Sequence, residues 1–191
     1  MKWRNFAEGD EEALVFDILK KSVLAGLVLA GGAVPSGAET TSQTLFTHKN
    51  WEVELVTYDD GSFACLAEVD AGTDSFTLWT YGDSSVRLQF YSTEWDFGDT
   101  GDTADLSVEI DRRGAWTLPD AELYHNSVLF NLPDSDESVS FIVEVANGTT
   151  LHLRSDSGEG VKDYSLAGSS ASIGALIDCN ETLAGGSNPF N

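Results

Sequence analysis

From Trp51 onward, apolar and polar residues alternate with a period of two in one short run after another. Trp51, Val53 and Leu55 interleave with Glu52 and Glu54, as in a strand with one face in a core and the other toward water. Asp59-Asp60-Gly61 closes that run as a hairpin turn. Phe63 to Val69 returns with Phe63, Cys65 and Val69 on one face, and Ala71-Gly72-Thr73-Asp74 turns the chain into Phe76 to Tyr81. Beyond Gly82-Asp83, Val86, Leu88 and Phe90 alternate with Arg87, Gln89 and Tyr91. The acidic stretch from Asp96 to Asp105 reads as a surface loop. Leu106, Val108 and Ile110 make the next strand, and Asp111-Arg112-Arg113-Gly114 a turn. Trp116 to Leu118 and Ala121 to Tyr124 read as two short strands parted by Pro119-Asp120; Val128, Phe130 and Leu132 form another. The polar segment from Glu39 to Asn50 reads as a mobile lead-in.

After Leu132 the period becomes ambiguous. Pro133-Asp134-Ser135-Asp136-Glu137 has the form of a helix start with Asp134 as N-cap, and Val139, Ile142, Val143 and Ala146 fall on one helical face. Against this, Phe141 to Val145 is rich in β-branched residues, and Asn147-Gly148 serves either as a hairpin turn or as a helix stop. A helix over residues 135–146 is the preferred of the two readings. Thr149 to Arg154 and Val161 to Ser165 are strands. A last helix begins near Gly168, with Ser169 as cap, Ile173, Leu176 and Ile177 inward and Cys179 at its end. The tail from about residue 185 is expected to be disordered. No internal repeat is present. The pattern predicts a mainly β domain, an antiparallel β-sandwich or curled sheet with one or two short C-terminal helices, α+β in detail.

The segment before this domain has a different character. Lys20-Lys21 precede an apolar run from Ser22 to Val34, a Pro35 break and the small-residue exit Ser36-Gly37-Ala38. That is the layout of a secretory signal peptide cleaved after Ala38, and the run is shorter than the about 20 residues a membrane span needs. Glu8, Asp10, Glu11 and Glu12 ahead of the lysines are foreign to such a leader; initiation at Leu19 would remove them. Residues 1–38 are therefore read as leader and signal peptide, and residues 39–191 as a single exported domain, periplasmic or extracellular. In that setting the chain's two cysteines, Cys65 and Cys179, favour a structural disulfide over two buried thiols. Closing so long a loop is worth about 4 to 5 kcal/mol at most in the chain-entropy view.

Charge narrows the partners. The chain carries 10 Lys and Arg against 32 Asp and Glu, a formal net charge of −22. Beyond residue 38 the cations are Lys49, Arg87, Arg112, Arg113, Arg154 and Lys162. Nucleic acid, whose phosphates need clustered basic residues, is a poor partner, and anionic lipid is disfavoured for the same reason. No integral span is expected in the mature form. An acidic surface of this kind suits a salty external medium.

Candidate chemistry is sparse. His48 falls in the lead-in, His125 beside Asn126 between strands, and His152 on the solvent side of a strand between Leu151 and Leu153. No nucleophile elbow accompanies them: Gly168-Ser169-Ser170-Ala171-Ser172 departs from Gly-x-Ser-x-Gly, so Ser169 and Ser170 read as helix-start residues. No catalytic residue is assigned. The best metal candidates are Asp96, Asp99, Asp102 and Asp105, spaced by three in a flexible loop that calcium could accept but outside the EF-hand pattern. Trp79 and Tyr81 share one strand face, with Tyr91 and Trp95 on or beside the next strand. If that face is exposed it can stack on a sugar or grip a protein; the competing reading places these rings in a second core layer.

Several short motifs occur in order: the signal peptide, Trp51-Glu52-Val53, Phe63-Ala64-Cys65, Val108-Glu109-Ile110-Asp111, Asn147-Gly148 before a strand, and Ser165-Leu166-Ala167-Gly168-Ser169 leading into an alanine-containing helix. In these the chain resembles small secreted alphaproteobacterial proteins of the invasion-associated locus B family. It departs from some of them in having no cysteine beside Trp51. The resemblance implies a periplasmic or surface β-rich domain without established catalysis, and its family name a link to host-cell invasion. The expected function is that of an exported, non-enzymatic binding or interaction protein acting on an unknown protein or surface glycan. The alternatives are a calcium- or carbohydrate-binding module, and a secreted hydrolase whose acids come from distant strands.

Overall fold

The computed structural model describes residues 39–185. The predicted leader, residues 1–38, and the predicted tail beyond 185 lie outside the described residues. Ten strands form one sheet in which every neighbouring pair is antiparallel. They are β1 (Thr41–His48), β2 (Trp51–Thr57), β3 (Phe63–Asp70), β4 (Asp74–Tyr81), β5 (Val86–Ser92), β6 (Thr103–Ile110), β7 (Trp116–Tyr124), β8 (Ser127–Leu132), β9 (Thr150–Ser155) and β10 (Gly160–Ser165). Helix α1 (Asp136–Asn147) joins β8 to β9, and α2 (Ser169–Ala184) ends the described chain. The spatial order is β1-β2-β3-β4-β5-β8-β7-β6-β9-β10. The predicted fold class therefore holds, in its curled-sheet form.

The curl is visible in the contacts of β10. Tyr164 is buried on this edge strand, yet its ring centroid lies 6.0 Å from Phe76 on β4 and 5.8 Å from Phe90 on β5. Phe76 and Phe90 stack on each other at 5.2 Å, with the Trp51 ring edge-on to Phe76. Burial pushes the Tyr164 phenol well above its usual range. At the rim of the same contact the Lys162 ammonium lies 3.0 Å from Asp74 and 2.6 Å from Glu94. The inward residues of β2 to β10, Val53, Leu78, Leu88, Ile110, Leu118, Leu151 and Leu153 among them, join one buried cluster with Phe141 of α1 and Ile173 and Leu176 of α2, against which Leu45 and Phe46 of β1 pack. The Cys65–Cys179 disulfide, with its Cα atoms 6.2 Å apart, ties α2 to β3. Among the described residues no helix is long and apolar enough to cross a membrane.

Four local expectations change. The predicted lead-in is strand β1: its residues pair with β2, and a register shift between Thr44 and Phe46 turns both Leu45 and Phe46 toward the core. An edge strand with that bulge has no clean alternation, so its pattern read as irregular. The two short strands around Pro119-Asp120 are one, β7; Pro119 lies where β7 has left the ladder with β8, which ends at the Glu122–Leu129 pair. Residues 136–147 are helical, but Ser135, not Asp134, is the N-cap, its hydroxyl accepting from the Ser138 N–H. The buried stripe of α1 is Ser138, Phe141 and Val145, leaving Val139 and Val143 exposed: the large Phe141 ring, edge-on to Trp116, sets the rotation. In α2, Gly168 takes the cap position with φ +104° and no side-chain cap, and Ile177 is half exposed. Ser169 instead donates its hydroxyl to the carbonyls of Val145 and Ala146, joining the end of α1 to the start of α2.

Candidate functional site

One face of each strand feeds the core; the other face of β4, β5 and β8 collects unusual side chains for a solvent surface. Cross-strand partners share a face. Trp79 on β4 stands opposite Arg87 on β5, and Arg87 opposite Asn131 on β8, in one row. The adjoining row runs Glu68, Thr77, Gln89, Leu129 and Glu122 over β3, β4, β5, β8 and β7. Trp79 and Tyr81 are both half-buried on this outer side, beside buried Leu66 and Thr77.

The rows are tied by side-chain hydrogen bonds. The Trp79 indole N–H donates to Gln89 Oε1 at 2.8 Å, and Gln89 Nε2 donates to the Ser127 hydroxyl at 2.9 Å. Arg87 Nε donates to Asn131 Oδ1 at 2.8 Å. The Thr77 and Ser75 hydroxyls donate to the Glu68 carboxylate at 2.8 and 3.2 Å. Tyr58 and Tyr81 lie at the end of the face nearest the β2–β3 turn. Burial raises both phenols above their ordinary range, and the nearby Arg87 charge opposes the rise. On β2, burial also raises the Glu54 carboxyl, helped by Glu52 and Glu68 and opposed by the Ser42 hydroxyl.

Where β7 separates from β8 at Pro119-Asp120, a notch of about 240 Å³ opens on the same face, lined by Arg87, Asp120, Glu122, Leu129, Phe130 and Asn131. Asp120 has φ +52°, a left-handed conformation that Asp tolerates better than most residues. Its N–H is held at 3.0 Å by the Asp105 carboxylate. The site thus consists of a fixed indole on β4, a guanidinium on β5, an amide on β8 and two carboxylates on β7, four neighbouring strands of the sheet.

The remaining sequence candidates do not join it. Asp105 serves Asp120, Asp102 accepts from the Thr100 hydroxyl at 2.7 Å, and Asp96 and Asp99 are exposed in the β5–β6 loop. Among the described residues no group of three or more His, Cys, Asp or Glu is placed to hold a metal ion, so the four aspartates are not gathered into a calcium cage. The loop itself is anchored to the β7–β8 hairpin, with Asn126 Nδ2 donating to the carbonyls of Trp95 and Ser92 and His125 N–H to that of Gly98. His152 Nδ1 lies 2.6 Å from Asp163 Oδ1 on the outer side of β9 and β10; among the described residues no hydroxyl nucleophile joins that pair. His48 ends β1 and, with Lys49, borders a wider opening of about 600 Å³ at the meeting of the two helices, beside Ser169 and Ser170. There Ser169 is engaged by the α1 carbonyls and is not poised as a nucleophile.

Sequence reasoning found Trp79 and Tyr81 but not Arg87, Gln89, Asn131, Asp120 or Glu122. The alternation of β5 placed Arg87 and Gln89 on one side. What it could not supply was the register, and above all the pairing of β5 with β8 rather than with β6. Comparison with protein-family models, curated proteins and solved structures gives no match to this chain.

Proposed function

We propose that this chain is an exported, non-enzymatic binding domain whose working surface is the outer face of β4, β5 and β8. The observation that carries the reading is the Trp79 side chain, held on a solvent face by a hydrogen bond to Gln89 beside a polar notch. A large ring kept at the surface and fixed there is a feature of recognition surfaces, where rigid aromatic anchors contribute area at low entropic cost. Export is supported by the disulfide and by the signal-like segment that ends at Ala38. The short motifs shared with the invasion-associated locus B proteins support the same reading; a role in host-cell invasion is not taken over from them.

Two measurements test it. In a Gram-negative host the full chain is expected in the periplasm or medium, oxidised and beginning near Glu39; reduced cytoplasmic protein with an intact start overturns export. Labelled exported protein is expected to be retained saturably on cell-envelope preparations. Retention should fall in a Trp79→Ala, Arg87→Ala double variant that melts as the parent does. Retention unaffected by that change would remove the outer face from the function.

A further inference from the structure

Resting on that reading, we infer that the Trp79 ring and the notch between β7 and β8 form one site for a neutral saccharide. Sugars present two chemistries at once: an apolar patch of ring C–H groups and a rim of hydroxyls that both donate and accept. The outer face offers the complement of each. The indole N–H is already engaged by Gln89, so what Trp79 has left to offer a ligand is its ring face, which suits the C–H patch. Among the described residues the Arg87 side chain donates through Nε to Asn131, with the Tyr58 and Tyr81 phenols near its charge, and its terminal NH₂ groups remain as donors in a fixed fork. Asn131 adds an amide, and Asp120 and Glu122 add acceptors. Trp79, Arg87 and Asn131 sit on successive paired strands, so ring and notch are about 10 Å apart at normal strand spacing. The notch, at about 240 Å³, is smaller than the roughly 300 Å³ at which drug-sized pockets begin, a scale suited to one sugar unit.

Other occupants fit less well. An anionic glycan or phosphate meets the Asp120 and Glu122 carboxylates and a chain of net charge −22. A peptide added as a strand needs a free sheet edge, whereas β4 and β5 are paired on both sides and the part of β8 that β7 leaves unpaired is only Phe130 to Leu132. A ligand that must be read by side chains alone, without net charge, matches what is present.

The test is titration of the full-length exported protein with cello-, malto- and chito-oligosaccharides, followed by calorimetry and tryptophan fluorescence, with heparin and oligolysine as charged comparisons. At least one neutral series is expected to bind and to change the tryptophan emission. Trp79→Ala should weaken that binding by about tenfold or more, as loss of an aromatic anchor does. Asn131→Ala and Glu122→Ala, at exposed positions that leave the core intact, should weaken it as well. The inference is overturned if no neutral series binds, if binding survives all three changes, or if only oligolysine binds. Envelope retention that depends on Trp79 without any oligosaccharide binding would leave the binding-domain reading standing and remove the saccharide.

Discussion

Two carboxylates on this protein pull its pH dependence in opposite directions, each for a local reason. Glu54 lies half-buried on β2 beside buried Leu66. Burial raises its carboxyl above the ordinary range, and neighbouring Glu52 and Glu68 add to the effect. A raised native value means the folded state holds the proton more tightly than the unfolded chain, so the ionised group costs stability at neutral pH. Glu54→Gln is therefore expected to raise the melting temperature at pH 7, with the gain fading as pH falls through the raised native value and absent below the unfolded glutamate value of about 4.3. Asp111 is the converse. At φ +57° it opens the turn that leads from β6 into β7, and its Oδ1 accepts the N–H groups of Thr150 and Thr149, each at 3.0 Å. Those bonds, that of Thr150 first, hold its carboxyl below the usual range. Its contribution is present above the unfolded aspartate value and lost as pH falls through the lowered native one, so Asp111→Ala should lower the melting temperature at pH 7 and much less in acid. Melting curves of both variants across pH decide the matter; shifts of the same sign would contradict this account. Gly148 is a steric case: a Cβ there would lie 2.5 Å from Ile110 and 2.8 Å from Leu166. Gly148→Ala should cost about 1 to 3 kcal/mol by overpacking, measurable by denaturant unfolding.

At the scale of elements, the helix α2 depends on partners more than on its own sequence. It starts without a side-chain cap and carries no acidic residue in its first turn and no basic residue in its last. Its position is fixed by Ile173 and Leu176 against the sheet, by the Ser169 bonds to α1, and by the disulfide to β3. The bond joins residues 114 apart, which places its entropic contribution near the top of the usual range, about 4 to 5 kcal/mol. Replacing both cysteines by alanine is expected to lower stability by at least about 2 kcal/mol, and α2 should show the largest loss of amide protection. Uniform loss across the sheet with α2 no worse than β3 would show that packing alone holds the helix. The same dependence explains what was legible in the sequence. Strands β2 to β6 each present their own inward row, so alternation and turn residues marked them. Strand β1 draws its stability from pairing with β2 and presents a bulge, and α1 takes its rotation from Trp116 across the core. Neither constraint is local. The cysteine pair was legible because only one pairing exists. The row Trp79–Arg87–Asn131 was not, because it joins segments separated by the whole β6–β7 excursion.

For the molecule as a whole the dominant electrostatic fact is repulsion. The chain carries a net charge of −22, and the ion pairs described all take their cation from β9 or β10: Lys162 meets Asp74 and Glu94, and Arg154 meets Asp163. Lys162 closes the curl, since it joins the last strand to the β4–β5 rim. Salt acts on both terms. It weakens these few exposed or partly exposed attractions, each of small worth, and it screens the far more numerous acid–acid repulsions, which favour any expanded state. At 0.01 M ionic strength the screening length is about 30 Å; at 0.1 M it is about 10 Å. Repulsion summed over the surface therefore changes more than the local pairs do, and added sodium chloride is expected to raise the melting temperature by several degrees before levelling off. Lys162→Met should lower it at every salt concentration, because Asp74 then stays partly buried without its cation, while the slope with salt stays positive. A melting temperature that falls with salt in the parent protein would mean that the ion pairs around β10, not the diffuse negative charge, govern the stability of the curled sheet.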